Sequence, residues 1–255
     1  MNKSMIGDYC INPYVGCRHA CSYCYAESIT KRFSSHKEPW GEFVDVKINA
    51  LDVLKKELLR KKKGLVYISS LTDAYQPSEK KHQLTRKILQ LLLKFQFPIS
   101  IQTKSSLVTR DIDLIKQFDE VEIGFTITGL DDEVRKNFEP NSSSVKEKLE
   151  AIKKLKENGI KVYVFFGPIL PYLSDKNLER FFQVMKELKV DYLMIDKMNL
   201  KHEVWKKLES FLNKKYPELV PKWKDALFKK DYYESLRRKI KKLCEEYKLR
   251  CDFCY

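Results

Sequence analysis

The sequence predicts an α/β protein built on a parallel sheet of about six strands, followed by a helical extension. Three observations carry this reading. Between Asn49 and Asp196, short β-type runs alternate with amphipathic segments of helical period. The pieces have the lengths of βα units, which lay successive strands parallel in one sheet. After Met198 the β-type runs stop, and residues 201–247 read as helix interrupted near Pro217 and Pro221.

Taken in order, Asn49 to Arg60 carries Leu51, Val53, Leu54, Leu58 and Leu59 at helical spacing, and Gly64 then introduces the strand-like run Leu65 to Ser69. His82 to Lys94 has a long leucine face, and Pro98 ends the turn before the alternating strand Ile99 to Gln102. Ile112 to Phe118 is a short helix before the strand Val121 to Thr128. Ser144 to Asn158 is a longer helix with Ser144 as N-cap, Glu147 completing a capping box, and Gly159 just past its end. Lys161 to Ile169 is a strand, Asp175 to Leu188 a helix and Val190 to Asp196 a strand. Counting one strand that leads into a cysteine-rich loop near the start, the total is about six. Two regions follow: residues 1–200 hold the βα units, and residues 201–255 form a basic helical extension with a cysteine-rich tail.

A chain of 255 residues has room for one enzyme-sized core and not for a second catalytic domain. The start, MNKSMIGDYC, lacks the apolar run of a signal peptide, and no apolar stretch approaches the ~20 residues of a membrane span, so a cytoplasmic protein without membrane contact is expected. The net charge is +14, half of it after Leu200, where lysines and arginines such as Lys206, Lys207, Lys229, Lys230, Arg237 and Arg238 crowd together. Such a face suits nucleic-acid phosphates. Interleaved Glu203, Glu209, Glu234, Glu245 and Glu246 equally suit an ordinary solvated helix surface.

The densest chemical signal is Asn12 to Ala26, NPYVGCRHACSYCYA, where Cys17, Cys21 and Cys24 form a C-x-x-x-C-x-x-C array. Three thiolates so close can share one metal centre and leave a position open. Structural zinc sites want four ligands and usually pair two C-x-x-C knuckles, and no second knuckle follows at the usual spacing. Three is also an odd number for disulfides. His19, between the cysteines, is read as shaping the loop. Tyr23 and Tyr25 flank Cys24 and either line a pocket or shield the centre from water; Tyr14, Tyr67, Tyr75 and Tyr163 are read as core.

This array, with Tyr23 just before the last cysteine, resembles the radical S-adenosylmethionine superfamily. The resemblance implies a 4Fe-4S cluster on Cys17, Cys21 and Cys24, whose open iron takes the amino and carboxylate groups of S-adenosylmethionine. It also implies a partial (βα)6 TIM-like barrel with the site at the carboxyl ends of its strands, and a reductant such as flavodoxin or ferredoxin. Further motifs at strand ends narrow the likeness: TDAYQPSE, TKSSLVTRDIDL, the Glu139-Pro140 loop and PILPYLSD. Together these resemble the spore photoproduct lyase related family, often labelled DNA repair photolyase, from about Ile6 to Asp175. Carried over, Lys104 reaches the methionyl carboxylate, Thr126 contacts the same end of the cofactor, and Thr72 and Asp73 are polar residues near it. The family lyase has a hydrogen-donating cysteine in the second-strand loop where this chain has Ser70, and an alcohol O–H is too strong a bond to do that work readily.

Cys244, Cys251 and Cys254 close the chain in RCDFCY. They suggest a second iron-sulfur cluster or a zinc ion, with Cys10 as a candidate fourth ligand, or a hydrogen donor in place of Ser70, or simply reduced thiols. Two functions follow. The first is a radical enzyme, lyase-like or other, acting on an unidentified substrate that includes nucleic acid among its candidates. The second is a nucleic-acid or assembly module with a structural iron-sulfur or zinc loop.

Overall fold

The computed structural model describes residues 1–3, 6–200, 204–229 and 231–255; the sequence readings for Lys230, Glu203 and the first residues of the extension lie outside them. In chain order the elements are β1 (Asn2–Lys3), β2 (Tyr9–Ile11), β3 (Tyr14–Val15), α1 (Ala26–Phe33), β4 (Asp45–Val46), α2 (Ala50–Leu58) and β5 (Val66–Ile68). Then come α3 (Glu79–His82), α4 (Leu84–Phe95), β6 (Ile99–Thr103), a 3-10 turn (Ser106–Asp111), α5 (Ile112–Ile115), β7 (Val121–Thr126), α6 (Asp132–Phe138) and α7 (Val145–Glu157). The chain ends with β8 (Lys161–Ile169), α8 (Leu178–Glu187), β9 (Tyr192–Lys197), α9 (Val204–Lys215), a 3-10 turn (Pro217–Leu219), α10 (Val220–Phe228), α11 (Asp231–Glu246) and β10 (Cys251–Phe253).

The main sheet has the order β1-β2-β5-β6-β7-β8-β9-β10, and β3 pairs with β4 beside it. Every pairing from β2 to β10 is parallel; only the edge strand β1 runs antiparallel. Each strand lies next to its predecessor because each connection is a helix that packs back on the sheet. Strands covered on both faces read as apolar runs, as in β5, where Val66, Tyr67 and Ile68 are all buried. Helix α4 turns Leu84, Ile88, Leu89 and Leu92 inward, the stripe that its leucine spacing predicts. Helix α7 has the expected capping box between Ser144 and Glu147, and Gly159 just beyond it takes φ +73°, the left-handed conformation that ends a helix cheaply in glycine.

Two features depart from the sequence reading. The β signal does not end at Met198: after three helices the tail returns as β10, in register with β9 through Cys251 and Leu193. The tail cysteines also do not form a trio of thiols. Cys244 on α11 and Cys251 on β10 are joined in a disulfide, which fastens the last strand to the last helix, while Cys254 is free. A sulfur committed to a disulfide is no thiolate ligand. Cys10 points elsewhere, its thiol directed to Ser70 Oγ at 3.2 Å.

Gly124 of β7 is the tightest point of the inner face: a Cβ there would lie 2.1 Å from Tyr163 Cζ. Tyr163 cannot swing aside freely, because it stacks on Tyr192 with ring centroids 5.0 Å apart. Gly124→Ala is therefore expected to cost about 1–3 kcal/mol as an overpacking change, measured as a lower urea midpoint; an unchanged midpoint would mean that the ring is mobile.

Candidate cofactor site

The cysteine loop sits at the carboxyl ends of β5, β6 and β7 and is tied down on several sides. Gly16, at φ +82°, brings the chain against Phe43, where a Cβ would lie 2.5 Å from the Phe43 carbonyl oxygen. The Arg18 backbone N–H donates to Gln76 Oε1 at 2.8 Å, and the Ser22 N–H to the Phe138 carbonyl at 2.9 Å. His19 Nδ1 lies 2.9 Å from the Asn141 carbonyl, and Asn141 Nδ2 donates to the Arg18 carbonyl at 2.8 Å. His19 is a buried strut of the loop, as its sequence position suggests.

Cys17, Cys21 and Cys24 share a cavity of about 150 Å³ with Tyr25, Thr72, Asp73, Lys104 and Thr126. The structure thus brings together every cofactor-site residue proposed from the sequence except Tyr23, which borders a second cavity of about 510 Å³. The two cavities share Cys21, Cys24, Tyr25, Tyr67, Gln102 and Lys104, so they are neighbouring chambers of one opening. Among the described residues no three His, Cys, Asp or Glu side chains converge as a single ion requires. The loop's thiols face a chamber instead of a point, which suits a polynuclear cluster better than a lone zinc.

Two buried acids organise this chamber. Asp73 accepts hydrogen bonds from Thr103 Oγ1 at 2.7 Å and from the backbone N–H groups of Lys104 and Tyr75 at 2.8 Å each. Its Oδ2 also lies 3.2 Å from His19 Nε2, close enough for an ion pair though off-line for a hydrogen bond. Burial alone would raise the Asp73 carboxyl; His19 and these donors hold it well below the usual range instead. Glu139 pairs with Lys148 Nζ at 2.9 Å and accepts from the Tyr23 hydroxyl. Burial opposes its charge as well, yet Lys148, Lys104 and Tyr23 bring it down to about 2.

Lys104 is half-buried among these groups. Burial disfavours its charge, but Cys21, Glu139, Asp73 and Cys24 outweigh that and raise it. Its ammonium lies 5.8 Å from the Tyr23 ring centre. The thiols are raised as well, which for them favours the neutral form: burial pushes Cys17 up to about 12, with Asp73 and Cys24 adding to it, and burial raises Cys21 and Cys24 also. A cationic cluster would draw these thiols into the thiolate form.

Thr72 and Asp73 border the chamber but are occupied. Thr72 Oγ1 donates to the Gly16 carbonyl at 2.6 Å and accepts from Gln76 Nε2 at 2.9 Å, so both residues hold the loop as well as line the site. Thr126 Oγ1 accepts from Gln102 Nε2 at 3.2 Å. Tyr67 and Tyr163 are buried, as expected of core residues, and also form walls of the larger cavity. Sequence reasoning missed Lys148, although it falls on the buried stripe of α7 beside Val145, Ala151, Ile152 and Leu155, where a lysine signals a partner. It also missed Gln102 and Asp196, which carry no local signal beyond standing near strand ends.

A profile of the Radical SAM superfamily matches residues 11–196. The chain belongs to that superfamily and is an enzyme of it. An uncharacterized protein of Methanocaldococcus jannaschii is 38% identical over 92% of this chain and 86% of its own length. One of Acidianus two-tailed virus is 30% identical over 100% of this chain and 85% of its own length. Spore photoproduct lyase complexed with dinucleoside spore photoproduct superposes with a TM-score of 0.71 at 16% identity, covering 100% of this chain and 78% of that one. Streptococcus suis SuiB bound to S-adenosylmethionine gives 0.60 at 12% identity, over 96% of this chain and 46% of that one. At such identities the likeness is one of fold.

Superfamily membership implies a 4Fe-4S cluster and S-adenosylmethionine. The residues fit: three thiols of one loop for the cluster, and a half-buried ammonium lining the same cavity for a carboxylate. Cys21→Ala is expected to abolish the cluster's absorbance after anaerobic reconstitution. Lys104→Ala should keep that absorbance and weaken S-adenosylmethionine binding about ten-fold to a hundred-fold, the worth of one charge-assisted hydrogen bond; equal affinity would remove Lys104 from the cofactor site. Glu139→Gln leaves Lys148 buried without its counter-charge and should destabilise the fold by about 3–5 kcal/mol, read from chemical denaturation.

Proposed function

We propose that this chain forms a partial α/β barrel that binds a 4Fe-4S cluster through Cys17, Cys21 and Cys24 and S-adenosylmethionine beside Lys104, and that it acts in the cytoplasm on a nucleic acid. The observation that carries the cofactor reading is the single chamber shared by the three cysteines, Lys104 and Thr126. When bound, cluster and S-adenosylmethionine supply a one-electron reductive cleavage that gives methionine and a 5'-deoxyadenosyl radical, which takes a hydrogen atom from substrate.

The chain's own residues supply placement and exclusion of water. Lys104 holds a carboxylate, Tyr25 borders the chamber, and the larger cavity, which Tyr23 borders, receives the substrate. Among the described residues no helix is long and apolar enough to cross a membrane. The reductant is a small acidic carrier such as flavodoxin or ferredoxin. The groove beside Cys24 is rimmed by Lys31, Arg32, Lys206 and Lys207.

Nucleic acid is favoured by the charge of +14 and by the basic groove next to the site. Photoproduct repair is less well supported, because Ser70 stands where that chemistry uses a thiol. Of the tail cysteines, Cys254 opens on the substrate cavity, whereas Cys251 is bonded to Cys244. Cys254 is therefore the one thiol of the tail available to return a hydrogen atom.

Anaerobic reconstitution, followed by dithionite and S-adenosylmethionine, is expected to give 5'-deoxyadenosine. An intact cluster that yields none would sink the reading. Deuterium appearing in 5'-deoxyadenosine from labelled DNA or RNA would identify the substrate; transfer from neither would exclude nucleic acid.

A further inference from the structure

Polar side chains on the floor of the larger cavity are partnered internally. Gln102 Oε1 accepts from Tyr67 at 3.0 Å and Tyr163 at 3.3 Å, while its amide donates to Thr126. Glu122 accepts from Ser100 and Tyr192, each at 3.0 Å, and pairs with Lys161 at 3.1 Å. These groups support the cavity and have little left to offer a ligand.

At the mouth the pattern breaks. Asp196, near the end of β9, lines the cavity together with Cys24, Tyr25 and Lys104. It is half-buried, and among the described residues no side chain hydrogen-bonds or ion-pairs with its carboxylate. Burial raises its pKa, and only the backbone N–H and the charge of neighbouring Lys197 oppose that. Its charge reaches Tyr25 and Cys254, which line the same cavity. A half-buried carboxylate that no described side chain satisfies, on the wall of a cavity, is completed by a donor on whatever enters.

We propose that Asp196 is the specificity-determining residue of the substrate cavity and that it takes the paired N–H donors of a guanine base. The proposal deepens the nucleic-acid reading and rests on it. A carboxylate only accepts, and it offers two oxygens side by side. Guanine presents two adjacent donors on its pairing edge, the ring N1–H and the exocyclic amine. Thymine and uracil present one donor between two carbonyl oxygens, which a carboxylate repels. Adenine and cytosine set one donor beside a ring acceptor. Tyr67, Tyr163, Tyr192 and Phe165 give the cavity aromatic walls, the surroundings in which an unstacked base is held while its edge is read. Phosphates are kept out by the same carboxylate and are accommodated by the basic groove beside Cys24.

The test is equilibrium dialysis of reconstituted protein loaded with S-adenosylmethionine, using guanosine 5'-monophosphate, thymidine 5'-monophosphate and N-acetylarginine amide as probes. Guanosine monophosphate should bind at least about ten-fold tighter than thymidine monophosphate. Asp196→Asn, whose amide keeps a single acceptor, should weaken the guanine nucleotide about ten-fold to a hundred-fold and, by removing the charge that repels its carbonyl oxygens, leave the thymine nucleotide bound at least as tightly as before. Asp196→Ser is the second variant should the amide not fold. Equal binding of the two nucleotides, unchanged affinity in a folded variant, no nucleotide binding, or capture of the arginine amide in their stead would each overturn the assignment. Wild-type protein that cleaves S-adenosylmethionine but shows one of these outcomes refutes Asp196's role alone, whereas failure to cleave refutes the enzyme reading beneath it.

Discussion

The site depends on a single buried charge. Asp73 receives the Thr103 hydroxyl and the Lys104 backbone N–H from the end of β6, receives the Tyr75 N–H from its own loop, and faces His19 between the cysteines. One carboxylate thereby fixes the thiols relative to the ammonium. An ionised acid taken out of water without such donors would cost several kcal/mol, so the loop and the strand end are held in the arrangement that satisfies it.

A second charge does the same from the opposite side. Glu139, held by Lys148 and Tyr23, adds negative potential around the half-buried Lys104 and so helps keep that lysine charged. The thiols respond in reverse, since burial and nearby acids favour their neutral forms. Thiols that favour their protonated forms must release those protons when a metal centre binds them. Acids that raise the thiols also sustain Lys104, so neither could be changed without disturbing both functions.

Much of this was legible in the sequence, for reasons that differ by residue. The βα rhythm is visible because strands buried on both faces must be apolar throughout, and helices such as α4 must be apolar on one side. The cysteine array is local, so its spacing can be read directly. Lys104 was legible through the likeness of TKSSLVTRDIDL to a known family, but the acids that keep it charged come from other loops, and no spacing in the chain connects Asp73, Lys104 and Glu139. Strand β10 was hidden because Cys251, Asp252 and Phe253 form no apolar run; its strand character comes from pairing with β9. The disulfide was hidden for a similar reason, since three cysteines within a short tail suit a ligand set as well as a pair and a remainder.

The two chambers divide the work by position along the chain. Loops after β5, β6 and β7, together with the cysteine loop, supply the cofactor chamber, whereas β8, β9 and the tail complete the larger one through Tyr163, Tyr192, Asp196 and Cys254. Coupling between them passes through Gln102, whose amide joins Tyr67 and Tyr163 to Thr126. Residues at the ends of β9 and β10 can change what the cavity accepts without touching the acids that arrange the thiols. The disulfide between Cys244 and Cys251 then has a role beyond the helix it leaves: it anchors β10, and Cys254 just past that strand borders the larger chamber, so the last residues of the chain help to wall it.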